Sequence, residues 1–90
     1  NEEILLRCTK KSIHYVIELF SDFSNFTMQR SQTEDGRIDV SFLGYPKGIE
    51  YWCLKFVDSI ELISPVKSRE SLITRLTNNV YRSKNGVRDE

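Results

Sequence analysis

Phe26-Thr27-Met28-Gln29-Arg30-Ser31, then Gln32-Thr33-Glu34-Asp35-Gly36-Arg37, then Ile38-Asp39-Val40-Ser41-Phe42: this stretch decides the fold. The first and third runs alternate apolar and polar residues with a period of two, as strands half-buried on one face do. Phe26 and Met28 are expected to point inward. Between them Glu34-Asp35-Gly36-Arg37 reads as a hairpin turn, because Asp-Gly tolerates the positive φ angles of a tight two-residue connection. Gly36 is therefore assigned a structural role.

Outward from the hairpin the period alternates between strand and helix. Ile4-Leu5-Leu6-Arg7-Cys8 is a short apolar run of strand length, with Ile4, Leu6 and Cys8 on one face. After it, Ile13, Val16, Ile17 and Phe20 fall at i, i+3, i+4 and i+7, the stripe of a helix packed by one side, with Ser12 or Thr9 as its N-cap. Downstream, Gly44-Tyr45-Pro46-Lys47-Gly48 reads as a loop, and Ile49, Trp52, Cys53 and Phe56 return to helical spacing. Trp52 sits in that apolar stripe and reads as a packing residue. Asp58-Ser59 ends the helix and Ile60-Glu61-Leu62-Ile63 is a fourth strand. Ser64-Pro65 resembles an N-cap followed by proline at the first helical position, where no amide hydrogen is needed. Leu72, Ile73, Leu76 and Val80 then give a third helix its stripe.

The order is strand, helix, strand, strand, helix, strand, helix. Its first six elements match the ferredoxin-like split βαββαβ arrangement, an α+β fold with a four-stranded antiparallel sheet and two helices on one face. A C-terminal helix is added to it. The uncovered sheet face is predicted to carry Leu5, Arg7, Thr27, Gln29, Ser31, Asp39, Ser41, Leu43, Glu61 and Ile63. Residues 1–81 form the predicted domain and 82–90 a polar tail.

Composition narrows the function classes. Hydrophobic residues make up 39% of the 90-residue chain, which suits one core, and thirteen Lys plus Arg balance thirteen Asp plus Glu. A balanced chain has no global pull toward nucleic acid or an anionic membrane. Apolar runs are far shorter than the ~20 residues a membrane helix needs, so a soluble, cytoplasmic domain without membrane partners is expected. Cys8 and Cys53 stand apart with no CxxC pairing, which predicts two reduced, buried thiols with neither a disulfide nor a metal site. The opening Asn1-Glu2-Glu3 lacks an initiator Met and suggests a piece of a longer polypeptide.

Chemistry-bearing constellations are sparse. His14, the single histidine, has only Glu18 as an obvious neighbour, a solvated i, i+4 pair on a helix. Carboxylates are dispersed, and there is neither a P-loop nor a GxGxxG run. No cofactor is expected. Charge is uneven only in the last quarter, where Lys67, Arg69, Arg75, Arg82, Lys84 and Arg88 face only Glu70 before the terminal Asp89-Glu90. Such a run either meets phosphates or forms a solvated helix face.

The segment Trp52-Cys53-Leu54-Lys55-Phe56-Val57-Asp58-Ser59-Ile60-Glu61-Leu62-Ile63-Ser64-Pro65 resembles the closing segment of bacterial WYL-domain transcription regulators. There, a tryptophan-bearing helix, a turn, an aliphatic strand ending in proline and a helix with an early arginine follow in order. Arg69 stands where that arginine is expected, Tyr81 resembles the closing tyrosine, and Asp35-Gly36 matches the central hairpin. The likeness runs from about Ile4 to Tyr81. Val57 departs from the usual glycine, and the name-giving tripeptide is absent, since Tyr51-Trp52-Cys53-Leu54 resembles it in composition only. The resemblance is to the C-terminal extension that follows the WYL domain. It implies a non-catalytic regulatory module that helps its regulator dimerise and senses a small-molecule or nucleic-acid effector. Duplex DNA would be bound by an upstream domain.

Arg69, Arg75 and Arg7 are the candidate effector or phosphate contacts, and Trp52, Gly36 and Pro65 the candidate structural residues. For Arg69 the other reading is a salt bridge to Asp58 or Glu61. Two further classes share the βαββαβ order. One is an independent RRM-like nucleic-acid-binding domain, which stacks bases on aromatics of its central strands. The other is a small acylphosphatase-like enzyme, which needs an anion-cradling loop after the first strand. The predicted open face lacks the aromatics, and the chain lacks the loop.

Overall fold

The computed structural model describes residues 1–33 and 35–81. The elements are β1 (Glu2–Cys8), α1 (Ile13–Phe20), β2 (Thr27–Arg30), β3 (Ile38–Gly44), α2 (Pro46–Cys53), a 3-10 turn over Leu54–Phe56, β4 (Ile60–Ser64) and α3 (Val66–Thr77). The sheet order is β2-β3-β1-β4. Every neighbouring pair is antiparallel, with Leu6 opposite both Val40 and Leu62, and Met28 opposite Val40. This is the ferredoxin-like α+β arrangement.

The core lies between one sheet face and the helices. Ile4, Leu6 and Cys8 from β1, Val40 and Phe42 from β3, and Ile60 and Leu62 from β4 meet Val16 and Phe20 of α1, Ile49 and Cys53 of α2, and Leu72 of α3. Phe20 stacks on Phe42 with ring centroids 4.5 Å apart and receives the edge of Trp52 at 4.9 Å. Trp52 is thus a half-buried packing residue, as its place in the stripe implies. At Val57 the backbone stays in the right-handed helical region, φ −63 and ψ −19. The turn into β4 therefore needs no glycine, and it closes through Ser59 N–H donating to the Phe56 carbonyl at 3.0 Å.

Several local expectations are corrected. The hairpin is not a two-residue turn: Ser31 N–H donates to the Arg37 carbonyl at 2.9 Å, closing a longer loop. Gly36 alone in its described part has a positive φ, +76. Asp35 organises this loop with its side chain, accepting from Thr33 Oγ1 at 2.6 Å and from Arg37 N–H at 3.2 Å. Gly44 ends β3 and Pro46 to Gly48 form the first turn of α2, since Pro46 occupies a first-turn position where its missing amide costs nothing. Ser12 is at the N-cap position, but its hydroxyl donates to the carbonyls of Thr9 and Ser59 and does not cap the helix. It ties the β1–α1 connection to the residue before β4. Ser64 belongs to β4, so Pro65 is the N-cap and Val66 the first residue of α3.

Burial also departs from the stripes. Met28 faces the helix side with its partner Val40, yet it is exposed because β2 is an edge strand with a neighbour on one side only. Ile17 is exposed on the short α1. On α3 only Leu72 of the expected stripe is buried, alongside Ser68, while Ile73 (46% exposed) and Leu76 (42%) border a groove and Val80 lies beyond the helix. α3 packs by one edge against α2 and β4, leaving its next apolar row uncovered.

Candidate functional site

The three candidate arginines come from two elements, Arg7 from β1 and Arg69 and Arg75 from α3, and each meets a carboxylate of its own chain. Arg7 stands on the open face of β1 because odd positions of that strand point away from the core. Opposite it on β3 is Asp39. Arg7 Nε donates to Asp39 Oδ1 at 2.7 Å and Nη2 to Oδ2 at 3.1 Å, the two-pronged geometry that makes guanidinium–carboxylate pairs strong. Asp39 is only 7% exposed. The hydrogen bonds from Arg7 hold its carboxyl below the usual carboxylate range against the opposing effect of burial, helped by the Arg7 charge and by Ser31.

On its other side Arg7 is paired across the sheet with Glu61 of β4. Glu61 is the hub of this end of the sheet. Its Oε1 accepts from Arg37 Nη1 at 2.8 Å and its Oε2 from Arg69 Nη1 at 2.8 Å. Burial raises the Glu61 carboxyl, but the bonds from Arg37 and Arg69 outweigh it, and the net displacement is downward. Arg37 also holds Asp35 through Nε at 2.6 Å. The result is a belt of alternating charge across the open face and around the end of β4, running Asp39, Arg7, Glu61, then Arg37 and Arg69, with Asp35 outside. Of the two partners considered for Arg69, the structure has Glu61. Arg69 uses a single nitrogen, Nη1, for both Glu61 and the Leu62 carbonyl at 2.9 Å. Among the three candidate arginines, Arg7 makes the two-pronged contact with both oxygens of one carboxylate.

Arg75 faces elsewhere. Its Nη2 donates to Glu50 Oε2 at 3.1 Å and its guanidinium lies 4.6 Å from the Tyr51 ring centre. Glu50 is 2% exposed and also accepts from Ser71 Oγ at 2.6 Å. Burial raises the Glu50 carboxyl, and the hydrogen bonds from Ser71 and Arg75 bring it below its ordinary value. This pair joins α2 to α3. Glu50, Arg37 and Asp39 were not singled out in the sequence as partners of these arginines. Glu50 adjoins Ile49 in the apolar stripe of α2, the one signal that a carboxylate there would be buried.

Arg7 and Arg69 thus share one belt through Glu61, and Arg75 stands apart from it. Beside the belt, between the end of β4 and α3, is a groove of about 290 Å3 whose walls include Arg37, Glu61, Arg69, Leu72, Ile73 and Leu76. A more polar cleft of about 390 Å3 lies on the open face among Glu3, Leu5, Asp39 and Ser41. On the open face, the central strands β1 and β3 present Leu5, Arg7, Asp39, Ser41 and Leu43 at the positions an RRM-like platform would give to aromatics.

Cys8 and Cys53 are buried free thiols. Burial pushes each up to about 12, reinforced by Asp39 near Cys8 and by Cys8 and Glu50 near Cys53. Neither has the character of a nucleophile or metal ligand near neutral pH. Among the described residues no group of three or more His, Cys, Asp or Glu is placed to hold a metal ion. His14 is exposed on α1, its ring 4.1 Å from that of Tyr15. No helix among the described residues is long and apolar enough to cross a membrane. Arg82, Lys84 and Arg88 of the basic run lie outside the described residues. Comparison with protein-family models, curated proteins and solved structures finds no significant match.

Proposed function

We propose that this chain is a non-catalytic regulatory module of the kind that follows the WYL domain in bacterial transcription regulators, acting in the cytoplasm in effector sensing and dimerisation. One observation carries the reading. The segment that bears the resemblance folds as one connected unit: the Trp52 helix, β4, Pro65 and the Arg69 helix follow in order, and Arg69 ties α3 back to Glu61 and Leu62 of β4. The βαββαβ frame with an added helix is the architecture that resemblance implies. A small-molecule or nucleic-acid effector is the proposed ligand, and duplex DNA belongs to a domain upstream.

The test is functional and structural together. A polypeptide joining a winged helix and a WYL domain to residues 1–81 should change its operator affinity on adding effector, and the response should vanish when residues 1–81 are deleted. Reproducible phosphate-ester or acyl-phosphate hydrolysis by the purified chain would contradict the non-catalytic part. Nanomolar, sequence-dependent duplex binding by the chain alone would make an independent nucleic-acid reader the better account.

A further inference from the structure

A hollow of about 240 Å3 that shares no residue with the charged belt is lined by Tyr15, Glu18, Leu19, Trp52 and Phe56. Tyr15, Glu18 and Leu19 stand at i, i+3 and i+4 of α1, and Trp52 and Phe56 at i and i+4 across the end of α2 and the 3-10 turn, so each segment presents its residues on one side. Phe56 is the shared ring, 4.7 Å from Trp52 and 5.1 Å from Tyr15, and both contacts are tilted, at 40° and 37°. Tilted neighbours curve an aromatic surface that parallel ones would flatten. Trp52 also meets the buried Phe20 at 4.9 Å, whereas Tyr15 is 45% and Leu19 48% exposed, so neither of these two is needed to fill the core. Glu18 is the one charged residue of the lining, exposed and without a hydrogen bond or ion pair to any described residue. Its helical neighbour His14 lies against the Tyr15 ring at 4.1 Å instead.

We propose that this hollow binds a small quaternary ammonium compound of the choline type, its methylated nitrogen held by Tyr15, Trp52 and Phe56 with Glu18 as counter-charge. The face of an aromatic ring is the negative end of its quadrupole, so three rings gathered around one space attract a cation, and the Glu18 carboxylate adds to the attraction. An anion is repelled by the same four groups. A neutral apolar group gains the burial and leaves the charge of Glu18 unused. A primary ammonium brings three N–H donors to a lining whose one carboxylate is Glu18, and it gives up strong hydration to enter. A trimethylated nitrogen has no N–H to satisfy. Such a ligand is the small-molecule effector of the regulatory reading, and its effect on operator affinity rests on that reading.

Trp52 is the single tryptophan of the chain, so its fluorescence reports the site directly. Titrating the full chain with choline chloride, against sodium chloride at equal ionic strength, should give a saturable change with Kd of about 1 mM. Ligand-observed NMR of the choline methyl signal is the second readout. Ethanolamine, and the neutral analogue with a tert-butyl group in place of trimethylammonium, should each bind at least about tenfold more weakly. Tyr15→Leu keeps an apolar side chain at an exposed position and removes the ring, and Glu18→Gln removes the charge. Each should weaken choline binding about tenfold with an unchanged melting temperature, while Tyr15→Phe should retain it. No saturation in either readout below about 10 mM choline, or indifference to both Tyr15→Leu and Glu18→Gln, overturns the proposal. Equal binding of the tert-butyl analogue marks a plain apolar hollow and overturns it too, as does binding of phosphatidylcholine vesicles or a trimethyl-lysine peptide without binding of free choline. Choline binding by the chain, with an effector response that survives deletion of residues 1–81 from the regulator, would instead overturn the regulatory reading and leave the site standing.

Discussion

Replacing Asp39 with Asn keeps the shape of the side chain and removes its charge, so it isolates what the Arg7 pair contributes. Asp39 is 7% exposed and Arg7 is intermediate, which puts the pair between a screened surface bridge and a dry buried one. Two bonds are at stake, at 2.7 and 3.1 Å. Asn can still accept one of them, but its amide NH2 then faces a guanidinium that can only donate. Losing one charge-assisted hydrogen bond costs about 1.5–3 kcal/mol, and the remaining exposure of Arg7 favours the lower end. For a domain of this size each kcal/mol moves the melting temperature by roughly 4–8 °C, so a fall of about 6–12 °C at pH 7 is expected. The pH dependence adds a second signature. Asp39 is held below its unfolded pKa, so the unfolded chain binds the proton more readily. Its stabilisation is fully present above the unfolded value near 4 and is lost as pH falls through the folded one. Asp39→Asn should therefore lose more stability at pH 7 than at pH 2. Thermal denaturation followed by circular dichroism at both pH values measures this. A melting temperature within about 2 °C of wild type at pH 7 would refute the reasoning.

Arg7→Lys should destabilise the domain while Arg69→Lys should not, because Arg7 spans both oxygens of Asp39 and Arg69 works through one nitrogen; equal denaturant midpoints for the two variants would contradict this. Gly36→Val should cost about 1–2 kcal/mol, since only the positive φ and no close neighbour opposes a side chain there, and an unchanged urea midpoint would count against the loop conformation. Cys8 and Cys53 should resist alkylation at pH 8 until denaturant is added, and rapid labelling of either in the native protein would contradict their burial. Because both thiols are raised from about 9 toward about 12, their contribution is present below pH 9 and is lost as pH rises through that window.

Element type was legible where the period was clean. The alternation of Ile38 to Phe42 and the i, i+3, i+7 spacing of Ile13, Val16 and Phe20 place the same residues in strand and helix that the structure does. Those two periods depend only on which face is buried. The hairpin loop was not legible as it stands, because Asp-Gly is compatible with a two-residue turn and with a longer loop closed by Asp35. Which one forms depends on Ser31 pairing with Arg37. The stripe of α3 failed for a different reason. Periodicity reports an apolar face and does not say what covers it, and the uncovered Ile73 and Leu76 are as apolar as the covered Leu72.

The candidate site shows the same boundary between one-dimensional and three-dimensional information. A run of cations in sequence reads as either a phosphate surface or a solvated helix face, and neither reading places the carboxylates that meet Arg69 and Arg75, Glu61 and Glu50, which lie 8 and 25 residues away. An anionic effector approaching Arg7 or Arg75 must first displace a carboxylate that the fold already holds below its ordinary pKa. That exchange gains little, since one carboxylate or phosphate replaces another while the buried Asp39 or Glu50 loses its neighbouring cation. Arg69 is different. Its bond to the Leu62 carbonyl is to a neutral group, and its partner Glu61 keeps Arg37 when Arg69 moves away. Among the three arginines it is the one whose contacts can be exchanged without orphaning a buried charge. The contacts of Arg69 at the end of β4 are therefore the exchangeable ones, and the Arg7–Asp39 and Arg75–Glu50 pairs are fixed parts of the fold.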